Sequence, residues 1–102
     1  EVVRLALPDG ATMSHRVDGI AVCPGAGGSL FGGIASPSYL TGEMRHHDVL
    51  AKTAAGSAVI LTDHTNTERG YLPVLKRNLV EALGKDVAID IAKRDADPLQ
   101  IV

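Results

Sequence analysis

Cysteine occurs once, at Cys23, and aromatic residues make up only 3% of the 102-residue chain. A lone cysteine excludes an internal disulfide framework and a cysteine-based zinc site. A reducing intracellular compartment fits, the cytoplasm first, with nucleus and mitochondrion as alternatives. Few aromatics mean a core of Val, Ile, Leu and Ala, which a hydrophobic content of 45% can supply. Blocks of one charge sign are also missing. The net charge is −2 with Lys and Arg scattered, so no basic stripe marks a nucleic-acid surface, and direct DNA or RNA binding is not expected. A charge this near zero gives little colloidal repulsion and permits self-association. No apolar run approaches the length of a membrane span. No charged-then-apolar leader is present, and no membrane role is expected.

The chain is long enough for one small domain or a fragment of a larger one. "VVRLAL" (2–7) reads as a short strand closed by the turn signal "PDG". "GIAVC" (19–23) is a second strand that enters the small-residue loop "PGAGGS" (24–29), with a short helix over roughly 28–34. "SYLTGE" (38–43) is a third strand, and "HHDVLAKTAAG" (46–56) a helix stopped by Gly56. "SAVILTD" (57–63) is a near-continuous apolar run, the pattern of a strand covered on both faces. "NTERGYLPVLKRNLVEALG" (66–84) is largely helical and ends at Gly84. Val87, Ile89 and Ile91 alternate in "VAIDIAK" (87–93), which predicts a further strand with one wetter side. Strands alternating with helices predict an α/β layered arrangement with a mixed, partly parallel sheet.

Ligands of such sheets sit beyond the carboxyl ends of the strands. Three loops hold that position: 24–29, 42–47 and 63–68. In the first, Gly25, Gly27, Gly28 and Ser29 offer backbone N–H groups that can cradle an anion, or simply a tight turn. A dinucleotide fingerprint would place a third Gly where Leu30 stands, and no Gly-Lys-Ser/Thr follows. In the second, Glu43, His46 and His47 form a candidate pocket group for proton transfer or for support of a ligating residue. Adjacent histidines on a helix diverge and do not both reach one ion. In the third, His64 and Glu68 are four residues apart, on one side of a helical turn. Thr65-x-x-Glu68 also fits a capping box. Along the helical stripe of His64, Glu68, Leu72, Leu75 and Leu79, the same Glu68 fits a pocket-facing carboxylate. An imidazole and a carboxylate are a normal pair for zinc, manganese or iron, and spacing leaves both readings open. Pro73 removes a backbone donor and clashes with the carbonyl of Arg69, so Gly70 absorbs a kink or the helix restarts near Pro73.

"YLTGEMRHHDVL", "VILTDHTNTERGYL" and "DADPLQIV" in this order, with "VCPGAGGS" after a strand, resemble the NGG-one-interacting factor three family. That family is also called domain of unknown function thirty-four. The resemblance runs from about Val2 to Val102, and "HTNTERG" is closest to the eukaryotic branch. It implies a fold of two intertwined α/β halves, of which this chain resembles the C-terminal one, residues 1–18 being the tail of a preceding segment. It implies a dinuclear metal centre and a hexameric ring enclosing a cavity. The centre would draw a His-His pair and an Asp from the first half and a His-x-x-x-Glu from the second, and His64 and Glu68 match that last motif. His46-His47 is not the first-half pair: it lies in another block and is followed by Asp48 rather than Pro. No stretch of the chain supplies the missing Asp ligand block.

Two functions follow from the resemblance. One is a segment of a dinuclear metal-dependent hydrolase acting on a small phosphorylated or nucleotide-like substrate. Some relatives carry the name of a type 2 GTP cyclohydrolase, and a fold alone does not transfer such an assignment. The chain by itself would then be inactive. The other is a metal-binding scaffold or regulatory protein with a partner in transcription, as the family name implies. A nucleotide-binding module built on the Gly loop is a third reading. It requires free N–H groups at 25–29.

Overall fold

The apolar run before His64 becomes an interior strand. In the computed structural model, which describes residues 3–99, four strands form one sheet. They are β1 (Arg4–Ala6), β2 (Ala21–Cys23), β3 (Ser38–Thr41) and β4 (Ala58–Leu61). Their spatial order is β1-β4-β3-β2, so β4 and β3 have a neighbour on both sides. β2, β3 and β4 run parallel, and β1 pairs antiparallel with β4. The mixed α/β architecture expected from the sequence is the observed one.

The register explains the core. Val59 faces Tyr39 on one side and Ala6 on the other, and Tyr39 faces Ala21. One sheet face thus presents Ala6, Val59, Tyr39 and Ala21 as a row. Phe31 from the loop after β2 packs on that row, together with Met44 and with Val49 of helix α1 (His46–Ala54). Val59, Tyr39 and Phe31 are buried, each worth about 1.5–3 kcal/mol in area removed from water. The Phe31 and Tyr39 rings lie 5.1 Å apart at 58°, a tilted pair of the favourable kind. Lys52 of α1 clasps the same region. Its ammonium donates to the carbonyls of Phe31 and Ile34 at 3.0 and 3.2 Å and sits 4.4 Å over the Tyr39 ring.

Gly56 ends the α1 segment with φ +88°, and Gly84 ends the last helix with φ +82°, as their places in the sequence predict. The expected helix over 66–84 is present but broken. α2 (His64–Glu68) is followed by a 3-10 turn, Arg69–Tyr71, and α3 (Leu72–Leu83) starts afresh with Pro73 in its first turn. Proline is tolerated there because the first helical N–H groups need no intrahelical partner. Restart, not a kink at Gly70, is the outcome, and the α-helical spacing expected from His64 to Leu79 is interrupted at Arg69–Tyr71. The short helix expected over 28–34 shrinks to one 3-10 turn, Gly27–Ser29.

The chain divides into two compact units, one ending at Thr67 and the other starting at Glu68. The second corrects the reading of 87–93. Among the described residues this segment is not a strand. Ile89 and Ile91 instead line a cleft with Leu72, Leu75 and Leu79 of α3. Two ion pairs hold the segment there: Lys76 to Asp90 at 3.1 Å and a two-point Arg69 to Asp95 contact at 2.7 and 2.9 Å. Alternation gave these residues an apolar side, and a helix rather than a neighbouring strand meets it. The family-type ending "DADPLQIV" runs past Leu99 and so lies partly outside the described residues.

Candidate functional site

Three parallel neighbours send their carboxyl ends to one edge of the sheet, which brings the three candidate loops together. Thr41 and Gly42 at the end of β3 are the centre of this junction. The buried Thr41 hydroxyl donates to the carbonyl of Gly25 at 2.9 Å and accepts the N–H of Gly27, also at 2.9 Å. The N–H of Glu43 donates to the same Gly25 carbonyl at 3.0 Å, and the N–H of Asp63 donates to the carbonyl of Gly42 at 3.1 Å. Thr67 of α2 closes the ring: its hydroxyl accepts the N–H of Gly25 at 2.7 Å and donates to the carbonyl of His64 at 2.6 Å.

Gly42 is glycine for a steric reason. A Cβ there would meet the carbonyl oxygens of Asp63 and Gly25 and the Cα of His64, each at 2.8 Å. Gly27 is similarly confined, with Thr41 Oγ1 at 2.5 Å from a built Cβ. Asp63 carries the one positive φ among the described non-glycine residues, 66°. This left-handed conformation, which Asp tolerates better than most residues, turns the chain from β4 into α2. Its carboxylate is bound at 2.7 Å by Arg4 of β1. Thr41, Gly42, Asp63, Thr67 and Arg4 were not singled out from the sequence. The signals available were a Thr-Gly directly after a strand and an Asp directly before the His.

This scaffold brings Nδ1 of His64 to 3.5 Å from Oε1 of Glu43, both side chains about half exposed. Glu43 also walls an open cleft of about 350 Å³ whose other sides include Gly28, Ser29, Arg45 and Asp48. Arg45 donates to Asp48 at 2.8 Å, and that hydrogen bond holds the Asp48 carboxyl below its ordinary value of 3.8.

The remaining candidates separate. His46 lines a different cleft with Leu5, Val49 and Leu61, and exposed His47 lies 3.7 Å from Asp48. The two histidines open α1 and diverge. Thr65 is the second residue of α2, inside the helix rather than at its N-cap, so the capping-box reading does not hold. Glu68 is the last residue of α2 and is exposed. In the Gly loop, the N–H groups of Gly25 and Gly27 are occupied by the Thr67 and Thr41 hydroxyls. Those two amides are therefore turned to the protein, not to an anion. Among the described residues, no group of three or more His, Cys, Asp and Glu side chains comes together as a cation site. No helix is long and apolar enough to cross a membrane.

Known proteins share the sequence and the fold of this chain. A family model described as Duf34/NIF3 (NGG1p interacting factor 3) matches residues 3–98. NIF3-like protein 1 of Rattus norvegicus is 45% identical over 100 residues, covering 98% of this chain and 27% of the relative. NGG1-interacting factor 3 of Saccharomyces cerevisiae is 37% identical over 103 residues, covering 99% of this chain and 35% of the relative. The chain thus spans about a quarter to a third of the length of these relatives. Two solved structures share the fold at a TM-score of 0.68. The Staphylococcus aureus protein SA1388 is 19% identical, with 99% of this chain and 33% of that one covered. A Bacillus cereus protein related to NIF3 is 20% identical, with 100% and 28% covered.

Proposed function

Since the chain belongs to the Duf34/NIF3 family, we propose that it is a segment of a dinuclear metal-dependent hydrolase acting on a small phosphorylated or nucleotide-like substrate. The observation that supports this most is the convergence of β2, β3 and β4 on one edge, with Glu43 brought to 3.5 Å from His64. In this reading His64 and Glu68, first and last residues of α2, each hold a divalent ion: zinc, manganese or iron. An imidazole and a carboxylate are suitable donors, but two donors are fewer than a centre needs. The remaining ligands are assigned to the rest of the longer protein. A bound metal pair would supply an activated water and a clamp for the reacting oxygens. The chain's own part is to fix His64 through the Gly42 junction and to keep the Glu43 carboxylate within proton-transfer distance of a group bound beside His64. The cleft walled by Glu43, Gly28 and Ser29 would seat the substrate. Assembly as a hexameric ring and an intracellular location belong to the same proposal.

A non-catalytic scaffold or regulatory interaction protein is the second reading, supported by the name of the yeast relative, an interacting factor. The test is metal content by elemental analysis after equilibration with zinc or manganese, in a longer family member containing this segment. The parent protein is expected to bind metal and His64→Ala to lose it while the fold survives. Metal content unchanged by His64→Ala would remove the metal role of this segment. A metal-loaded parent that hydrolyses no phosphate ester or nucleotide would favour the scaffold.

A further inference from the structure

We propose that residues 87–91 are a strand-pairing surface for a second copy of this chain: two copies pair antiparallel along this segment, in the register that sets Ile89 opposite Ile89. The proposal is independent of the metal reading and concerns only the unit that starts at Glu68.

The segment has the side-chain order of a strand without a strand's partner. Ala88, Asp90 and Ala92 are exposed while Ile89 and Ile91 are half-buried, the period-two alternation of extended backbone. Ile89 and Ile91 line the cleft with Leu72, Leu75 and Leu79 of α3. Lys76 and Arg69 fasten the segment through Asp90 and Asp95. Side chains hold it in place, not a ladder. Among the described residues, 87–93 make no backbone-to-backbone hydrogen bond. Their N–H and C=O groups are left to solvent or to a strand that comes alongside, which is the template an edge strand offers. Val87, two residues before Ile89 and so on the same side, is 45% exposed.

Charge complementarity selects a second copy as that strand. When two identical strands pair about a two-fold axis perpendicular to their ribbon, opposed residues lie on the same face, so only registers centred on a residue are open. Centred on Asp90, two carboxylates stand directly opposite each other. Centred on Ala88, Asp86 meets Asp90 and Ile91 meets Lys85. Centred on Ile91, Ile89 meets Lys93 and Val87 meets Asp95. Centred on Ile89, Val87 meets Ile91, Ile89 meets itself, and Asp90 meets Ala88. That register alone matches apolar to apolar and opposes no like charges along 87–91, and like charges directly opposite are destabilising. It places each exposed Val87 against Ile91 of the second copy, with both α3 helices on one face of the ribbon. The net charge of −2 leaves little long-range repulsion between copies. A five-residue ladder is a small interface, so a weak dimer with a Kd of about 100 μM is expected.

The experiment is sedimentation equilibrium with amide NMR on the 102-residue chain, from about 10 μM to about 1 mM, a range that brackets this Kd. A monomer–dimer equilibrium is expected, with concentration-dependent amide shifts over 87–91. Ala88→Lys sets an ammonium opposite Asp90 at two symmetric positions and should tighten the dimer by about 2–30-fold. Ala88→Asp sets a carboxylate there and should weaken it by a similar factor. Ala88 is exposed, so neither variant disturbs the packing on α3. Glu81→Gln and Arg77→Gln change the net charge by the same amounts at exposed positions of α3 outside the cleft, and should leave association unchanged. A chain still monomeric at the highest concentration overturns the proposal. Exchange-protected amides over 88–92 in that monomer would assign the segment to a partner within its own chain, and unprotected ones to a strand of a different protein. Association that ignores Ala88, or that follows net charge alone, also overturns it, because another surface then carries the dimer.

Discussion

Replacing Gly42 by Ala is the sharpest perturbation of the junction. The added methyl would stand 2.8 Å from two carbonyl oxygens and one Cα, where ordinary contact begins at 3.4 Å. All three neighbours are backbone atoms, so no side chain can swing away. Overpacking costs about 1–3 kcal/mol when neighbours can adjust, and here the upper end, about 3 kcal/mol, applies. For a domain of this size each kcal/mol lowers Tm by about 4–8 °C, giving a fall of about 12–24 °C. The comparison variant is Gly56→Ala. Gly56 has φ +88° and open space where its Cβ would be, so only the left-handed backbone is penalised, at about 1–2 kcal/mol. Urea denaturation followed by circular dichroism on both variants gives the order directly. Gly42→Ala should be the less stable, with altered amide resonances at Gly25, Asp63 and His64. A Gly42→Ala protein within about 0.5 kcal/mol of the parent, or more stable than Gly56→Ala, would refute the close-packing argument, since overpacking of this kind costs more.

Other expectations follow from the same contacts. Thr41→Val keeps shape but orphans the Gly27 N–H and takes one of two donors from the Gly25 carbonyl, which keeps the Glu43 N–H. The orphaned amide should cost about 1–3 kcal/mol in denaturant titration, while Thr41→Ser stays near the parent. Asp48 is held below its ordinary value by Arg45. A depressed carboxyl stabilises the fold above its unfolded value of 3.8 and loses that contribution as pH falls through the lowered folded value. Arg45→Ala should therefore move the Asp48 carboxyl resonance midpoint upward in a pH titration and flatten the acid limb of stability. Asp95→Asn weakens the exposed Arg69 contact. Hydrogen exchange should rise over 87–95 and not in β3 or β4, with little change in global stability, because exposed ion pairs contribute little.

The parts of this structure legible in the sequence are those that local chemistry decides. The apolar run around Val59 announced a strand, though not its neighbours. Gly56 and Gly84 announced helix stops, and Pro73 a discontinuity that took the form of a restart. Pairing is a different kind of information. The alternation of Val87, Ile89 and Ile91 states that one side wants burial, and says nothing about whether a strand or α3 will meet it. Thr65 looked like a cap because Thr-x-x-Glu is a capping pattern. The left-handed turn at Asp63 starts α2 earlier and puts Thr65 inside it. In the site, His64 and Glu43 could be named as polar residues after strands. Their adjacency depends on β3 and β4 being neighbours, which spacing along the chain cannot reveal.

The pairing of β1 with β4 has a consequence for the order in which the molecule is made. Arg4 meets Asp63 across 59 residues of chain, and among the described residues the sheet partner of β1 is β4, made some fifty residues later. Until β4 is made that pairing is missing, and non-local strand pairings of this kind leave apolar residues such as Leu5 open to other nascent chains. β2 and β3 can meet earlier, but the edge that carries Glu43 is complete only when Asp63 and His64 arrive. The β3–β4 pairing and the approach of Glu43 to His64 therefore form in the same step, and a chain not yet made past residue 58 would have neither.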